Sequence, residues 1–140
     1  MSFREKGAWI SALSLLAVYG YYFWIVWGAA LAGGSGSFHY APLLIQSIIL
    51  LIVIQIVLSV AVAVWKPKDA AAALDERERL IDLKATNRAY YIAIAGALVM
   101  CIRAQMEQPV FYVTNGLFFT VVLAQFVKSV SQIVYYRIGA

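Results

Sequence analysis

The sequence predicts an all-α membrane protein with four transmembrane helices. Hydrophobic residues make up 64% of the 140 residues and charged residues only 13%, which is about half of the ~25% found in soluble domains. The mean hydropathy is +0.81. A soluble domain of this length buries only about 65–70% of its surface, so it could not keep this much apolar surface away from water. The expected solvent for the excess is a lipid bilayer.

The first two spans are predicted within a stretch that has no charged residue. Between Lys6 and Lys66 there are 59 residues without Asp, Glu, Lys or Arg, and a spanning helix needs about 20 mostly apolar residues. This stretch therefore holds two spans, predicted at 8–31 and 42–65. The glycine–serine run at 33–37 supplies the turn between them.

The last two spans are predicted at 89–103 and 110–130. A short polar turn at 105–108 separates them. Pro109 stands where a new helix can begin, because proline is tolerated in the first turn of a helix. The fourth helix is expected to continue through Arg137.

The polar stretch 69–88 between the second and third spans is predicted to be helical. Asp75 can cap a helix N-terminus with Glu78 at the third helical position, a capping-box pattern, and no proline or glycine occurs between Asp69 and Tyr91. We expect one continuous helix from about Asp75 into the third span, with its charged part outside the bilayer. We call this part the charged segment. Its candidate partner-binding residues are Asp75, Glu76, Arg77, Glu78, Arg79, Asp82, Lys84 and Arg88.

Lysine and arginine are distributed very unevenly between the two sides of the predicted bundle. Ten of the eleven fall on the side of the termini and the charged segment, and only Arg103 falls on the other side. Because basic loops stay on the cytoplasmic side, the sequence predicts that both termini and the charged segment are cytoplasmic. The net charge of +4 follows from this bias, so no direct binding of nucleic acid is expected.

Four polar residues of the fourth span fall within about 100° of arc on one side of a helix. Such a stripe can line a pathway for an ion or ligand, or it can form hydrogen bonds with a neighbouring helix. In the third span, alanines recur every four residues beside Gly96, which permits close helix approach. The polar stripe consists of Gln125, Lys128, Ser129 and Gln132, and the alanine ridge of Ala89, Ala93 and Ala97.

Arg103 and Glu107 are four residues apart near the outer end of the third span. They are candidates for an outer ion pair. Such a pair can act as a gate or a substrate anchor, or it can be an exposed interfacial pair that contributes about 0–1 kcal/mol to stability.

The composition excludes metal, haem and metalloprotease sites. With one histidine, His39, and one cysteine, Cys101, no metal site, haem or other cofactor is expected, and no His-Glu-x-x-His motif is present.

One segment resembles a known family. The run DERERLIDLKA at 75–85, followed by RAYY at 88–91, is similar to the recurring segment of an uncharacterised family of small bacterial inner-membrane proteins, in which a DER-x-R-x-I helix leads into the third of four spans. The FREK run at 3–6 is similar too. The resemblance implies location in a bacterial inner membrane and an association with small helix-turn-helix regulators.

The leading hypothesis is a non-enzymatic membrane protein with a regulatory or sensory role. Its charged cytoplasmic helix would be presented to a soluble partner, such as a helix-turn-helix regulator, which recognises complementary charge. One alternative is a small transporter or ligand-binding protein that uses the polar stripe, in a homo-oligomer. Another is a membrane-bound glutathione-type transferase, because the basic residues and Asn87 of the charged segment are loosely similar to that family's arginine- and asparagine-rich helix.

Overall fold

Four long helices account for nearly all of the described chain. The computed structural model describes residues 3–33, 41–65, 67–68, 73 and 75–139, and these residues form no strand. All four helices are long and apolar enough to cross a membrane, which indicates a multi-pass membrane protein. They are α1 (Phe3–Gly33), α2 (Ala41–Trp65), α3 (Glu76–Gln105) and α4 (Val110–Ile138).

The prediction of four helices long and apolar enough to span a membrane is confirmed. α4 continues beyond residue 130 to Ile138, in agreement with the expected continuation through Arg137, whereas α1 begins at Phe3 rather than near residue 8. Helices continue past the hydrocarbon layer because their backbone hydrogen bonds are satisfied internally at any depth. The predicted glycine–serine turn, apart from Gly33, and His39 lie outside the described residues.

The chain divides into two compact units, Met1–Ala72 and Ala73–Ala140, and each contains one helical hairpin. In the first hairpin, α1 contacts α2. Most of the buried residues of α1 recur at alternating intervals of three and four, which is the spacing of a seam between helices that lie side by side. These residues are Glu5, Ala8, Ala12, Leu15, Tyr19, Tyr22 and Val26.

A polar contact also joins the two helices of the first hairpin. The Gln55 side-chain amide donates a hydrogen bond of 2.7 Å to Ser14 Oγ, which in turn donates to the Ile10 carbonyl oxygen at 2.7 Å. The same amide lies 3.4 Å from Ser11 Oγ. Gln55 therefore serves the packing of α2 against α1.

The second hairpin is built on small residues that let α3 and α4 approach closely. A Cβ atom added at Gly96 would collide with the Thr120 side chain, and one added at Gly116 would lie 2.5 Å from Met100 Sδ. Gly116 and Thr120 are four residues apart, and Ala124, which is buried, follows at the same interval. α4 therefore carries a small-residue ridge of its own, which faces Gly96 of α3.

The outward surface of α2 is almost entirely apolar. Of the α2 residues whose burial is described, only Ser47 is buried, and its hydroxyl donates to the Leu43 carbonyl oxygen at 2.8 Å. An open groove of about 650 Å³ runs along this helix, with Pro42, Ile45 and Ile49 in its wall. Side chains of this kind suit lipid chains and supply no group for catalysis.

Candidate functional site

The charged segment begins with a capped helix end. Asp75 has φ −68° and ψ 153°, and its carboxylate accepts a hydrogen bond of 2.8 Å from the Glu76 backbone amide. The Arg79 amide donates to the Asp75 carbonyl oxygen at 2.9 Å, which closes the first turn. The predicted cap at Asp75 is confirmed. Acidic residues in the first turn also favour this end, because the helix dipole places partial positive charge there.

Both helices of the second hairpin are longer than the hydrocarbon layer of a bilayer is thick. At 1.5 Å per residue, the 30 residues of α3 measure about 45 Å, against about 30 Å for the hydrocarbon layer. Twenty residues counted from the turn at 106–109 end near Thr86 on α3 and near Ser129 on α4. The residues near and beyond these points, including Arg88 and Lys128 just inside them, form what we call the charged end of the hairpin.

At the charged end, one aspartate connects the two helices. Asp82 Oδ1 accepts a hydrogen bond of 2.9 Å from Gln132 Nε2 and lies 3.4 Å from Lys128 Nζ. The Asp82 side chain is 54% exposed and that of Lys128 32% exposed, so water weakens the charge attraction. We call Asp82, Lys128 and Gln132 the polar cluster. It joins a residue of the charged segment to two residues of the polar stripe.

A second group at this end combines two cations with one aromatic ring. Lys84 Nζ lies 5.8 Å and Arg88 Cζ 5.0 Å from the ring centroid of Tyr135. Both distances are within the range of cation–π attraction, which contributes about 0.5–1 kcal/mol at exposed positions. We call Lys84, Arg88 and Tyr135 the basic–aromatic cluster.

Arg77 contacts the last turn of α4. Its guanidinium lies 3.5 Å from the Tyr136 carbonyl oxygen, one of the carbonyl groups that lack an intrahelical partner at a helix C-terminus. A cation there is also favoured by the helix dipole. Arg77 thus acts within the hairpin rather than being free for a partner.

Two exposed charged residues of the segment have no side-chain hydrogen bond or ion pair among the described residues. They are Glu76 and Arg79; the Glu76 backbone amide is used by the cap. Of the predicted partner-binding residues, these two are therefore the most available. Glu78 is half-buried.

The four stripe residues do not share one environment. Lys128 and Gln132 contact Asp82, whereas Ser129 is buried and Gln125 is exposed. This arrangement gives Lys128 and Gln132 a shared partner on α3. Transport along the stripe stays a prediction, and so does glutathione conjugation at the charged segment.

Arg103 and Glu107 lie at the opposite end of the hairpin, and both are exposed. α3 ends at Gln105, and Glu107 lies in the turn with φ 55°, so the two residues do not share a helix as their spacing suggested. The outer ion pair stays a prediction, without the helical geometry that motivated it.

The sequence assigns Asp82 to the charged segment and Lys128 to the polar stripe, and it assigns Tyr135 to no candidate site. The pairing could have been found from the turn. If two antiparallel helices meet at residues 106–109, then positions whose numbers sum to about 214 lie side by side, as Asp82 and Gln132 do. The small-residue ridge of α4 was missed as well, although the interval of four between Gly116, Thr120 and Ala124 indicates it.

Comparison of the chain with protein-family models, with curated proteins and with solved structures gave no match.

Proposed function

We propose that this chain is a non-enzymatic protein of a bacterial inner membrane that presents the start of α3 to a cytoplasmic protein partner in a regulatory or sensory role. The observation that carries the proposal is that Glu76 and Arg79 stand exposed on a helix that continues without a break to Gln105. Charges on such a helix have a fixed spacing, so a partner can recognise them without first ordering a loop.

The uneven distribution of lysine and arginine supports the orientation. If the charged end is cytoplasmic, ten of the eleven basic residues lie on the cytoplasmic side, which agrees with the positive-inside rule. Both termini then lie in the cytoplasm. The family resemblance of the 75–85 run motivates the bacterial inner membrane and a helix-turn-helix regulator as the class of partner.

The contacts of the charged end support a rigid display. Asp82 is held by Lys128 and Gln132, and Arg77 contacts the end of α4. These contacts tie the first turns of α3 to α4, so a change in how the two helices pack would change the position of Glu76 and Arg79. In a sensory role, such a change would carry information from the membrane to the partner.

Site-specific photocrosslinking in cells tests this function. A photoreactive amino acid in place of Arg79 is expected to yield a discrete protein adduct. The same amino acid in place of Gln108, which is exposed at the other end of the hairpin, is expected to yield none. Reversing the neighbouring charge with Glu76→Arg should abolish the adduct at position 79, because recognition by charge fails.

Absence of an adduct at position 79, or an adduct unchanged by Glu76→Arg, would contradict the proposal. The Glu76→Arg variant is not expected to unfold the helix, since Glu76 is exposed and the side chain of Asp75, not of Glu76, caps the helix.

A further inference from the structure

The basic–aromatic cluster is distinct from the exposed pair Glu76 and Arg79, and the proposed function does not use it. We propose that Lys84 and Arg88, packed on Tyr135, bind the phosphate group of an anionic phospholipid in the leaflet next to the charged end of the hairpin. The inference rests on the membrane placement of α3 and α4, and it is independent of any protein partner.

The first argument is geometric. Both cationic groups lie within 6 Å of the same ring centroid, so they are gathered around one side chain. The side chains of Lys84 and Arg88 are exposed, and each cationic group keeps hydrogen-bond donors that the ring does not satisfy. These long side chains can turn toward the phosphate of one headgroup placed beside Tyr135.

The second argument is the charge balance. Among the described residues, neither Lys84 nor Arg88 is paired with a carboxylate, and the nearest acid in sequence, Asp82, is already engaged by Lys128. Two like charges four residues apart on a helix destabilise it. A bound anion would relieve this repulsion, and arginine is well suited to phosphate because its planar guanidinium can donate two parallel hydrogen bonds.

The third argument is depth. Arg88 and Arg103 are 15 residues apart on one helix, which is about 22 Å, less than the ~30 Å of hydrocarbon. A charge does not remain in hydrocarbon, so these side chains extend toward the headgroups on their respective sides. Arg88 is thereby held at the level of the lipid phosphates.

The neighbouring surface suits a lipid better than a soluble anion. Tyr91 is 63% exposed and lies three residues from Arg88 on the same side of α3, toward the membrane. Tyrosines prefer the interface between headgroups and acyl chains, so Tyr91 can contact the acyl chains of a lipid whose phosphate binds Arg88. A free phosphate ion would gain nothing from this contact.

Native mass spectrometry of the full-length protein in a neutral detergent tests the site. The probes are dioctanoyl phosphatidylglycerol and, as the zwitterionic control, dioctanoyl phosphatidylcholine. The parent protein is expected to prefer the anionic lipid. The double variant Lys84→Gln/Arg88→Gln should bind it about 20- to 30-fold more weakly, since one basic residue at a membrane surface contributes about fivefold.

A matched control removes two positive charges elsewhere. Lys6→Gln/Lys68→Gln lowers the net charge by the same amount, and its affinity for phosphatidylglycerol should fall much less than that of the cluster variant, because neither residue belongs to the cluster that contacts the lipid. Equal losses in the two double variants would show a general charge effect and overturn the site. Displacement of the lipid by inorganic phosphate would also overturn it, in favour of a soluble anion.

Two further measurements keep the test decisive if the double variant does not fold. Arg88→Lys retains the charge and should retain most of the preference for phosphatidylglycerol. In the parent protein, the preference should fall steeply as salt is raised, because screening weakens contacts between exposed charges. A preference that does not change with salt would contradict the proposal.

Discussion

Asp82 Oδ1 accepts a hydrogen bond from Gln132 Nε2 at 2.9 Å and faces Lys128 Nζ at 3.4 Å, so one carboxylate on α3 holds two successive turns of α4. The contact gives a structural reason for polar residues late in α4. Gln132 lies beyond the twenty residues of α4 that cross the hydrocarbon layer. Lys128 lies at their limit, where a lysine side chain can reach the interface.

The ion pair of Asp82 is expected to stabilise the hairpin only slightly. Asp82→Asn removes the charge and keeps an oxygen that can accept from Gln132. Because both partners are partly exposed, the loss should be about 0–1 kcal/mol and should shrink at high salt. Unfolding by SDS in mixed micelles measures it. Asn87→Gln, the control at an exposed residue of the same helix, should cost nothing, because glutamine favours a helix slightly more than asparagine. A loss above about 2 kcal/mol in Asp82→Asn would contradict a weak, water-exposed pair.

Close packing at Gly96 is expected to matter much more. Gly96→Ala places a methyl group against Thr120, and overpacking of this kind costs about 1–3 kcal/mol. Thr120→Ala should restore part of that loss by removing the colliding atoms. The control is Gly20→Ala, where nothing lies within 4 Å and alanine's helix propensity favours the change. Equal stability of the two alanine variants in the SDS assay would refute the close contact.

In the first hairpin, the hydrogen bond between Gln55 and Ser14 should appear as an energetic coupling. A double-mutant cycle with Gln55→Leu and Ser14→Ala is expected to give about 0.6 kcal/mol, the mean measured for hydrogen bonds between transmembrane helices, and no more than about 1.7 kcal/mol, the largest measured. Gln46→Leu serves as the control, because Gln46 is exposed on the same helix and should show no coupling with Ser14→Ala. Coupling near zero for Gln55 would mean that the contact is not maintained in a bilayer.

The cap at Asp75 is expected to set the order of the first turn of α3. Asp75→Ala removes the acceptor for the Glu76 amide and should cost about 0.5–2 kcal/mol locally, whereas Asp75→Asn keeps an acceptor and should cost little. Hydrogen exchange of the backbone amides of residues 76–79 measures this fraying. Unchanged exchange in Asp75→Ala would show that the turn is held by other contacts.

The number of helices, the limits of their apolar runs and the Asp75 cap were predictable from the sequence because each depends on local composition. The pairing of Asp82 with Lys128 depends on which faces of α3 and α4 meet. The faces that meet are set by Gly96 and Gly116, where the two helices can approach closely. A glycine in one helix indicates a contact only when the residue opposite it in the other helix is also known. Tyr135 was missed because an aromatic residue near an interface is expected there for lipid contact alone.

Cysteine labelling in cells measures the orientation on which the proposed function depends. In a Cys101→Ser background, which removes the one native cysteine, Arg79→Cys and Gln108→Cys are treated with a membrane-impermeant maleimide. Gln108→Cys should be labelled in intact cells, and Arg79→Cys should be labelled only after the membrane is permeabilised. Labelling of Arg79→Cys from outside intact cells, with Gln108→Cys protected, would contradict this orientation.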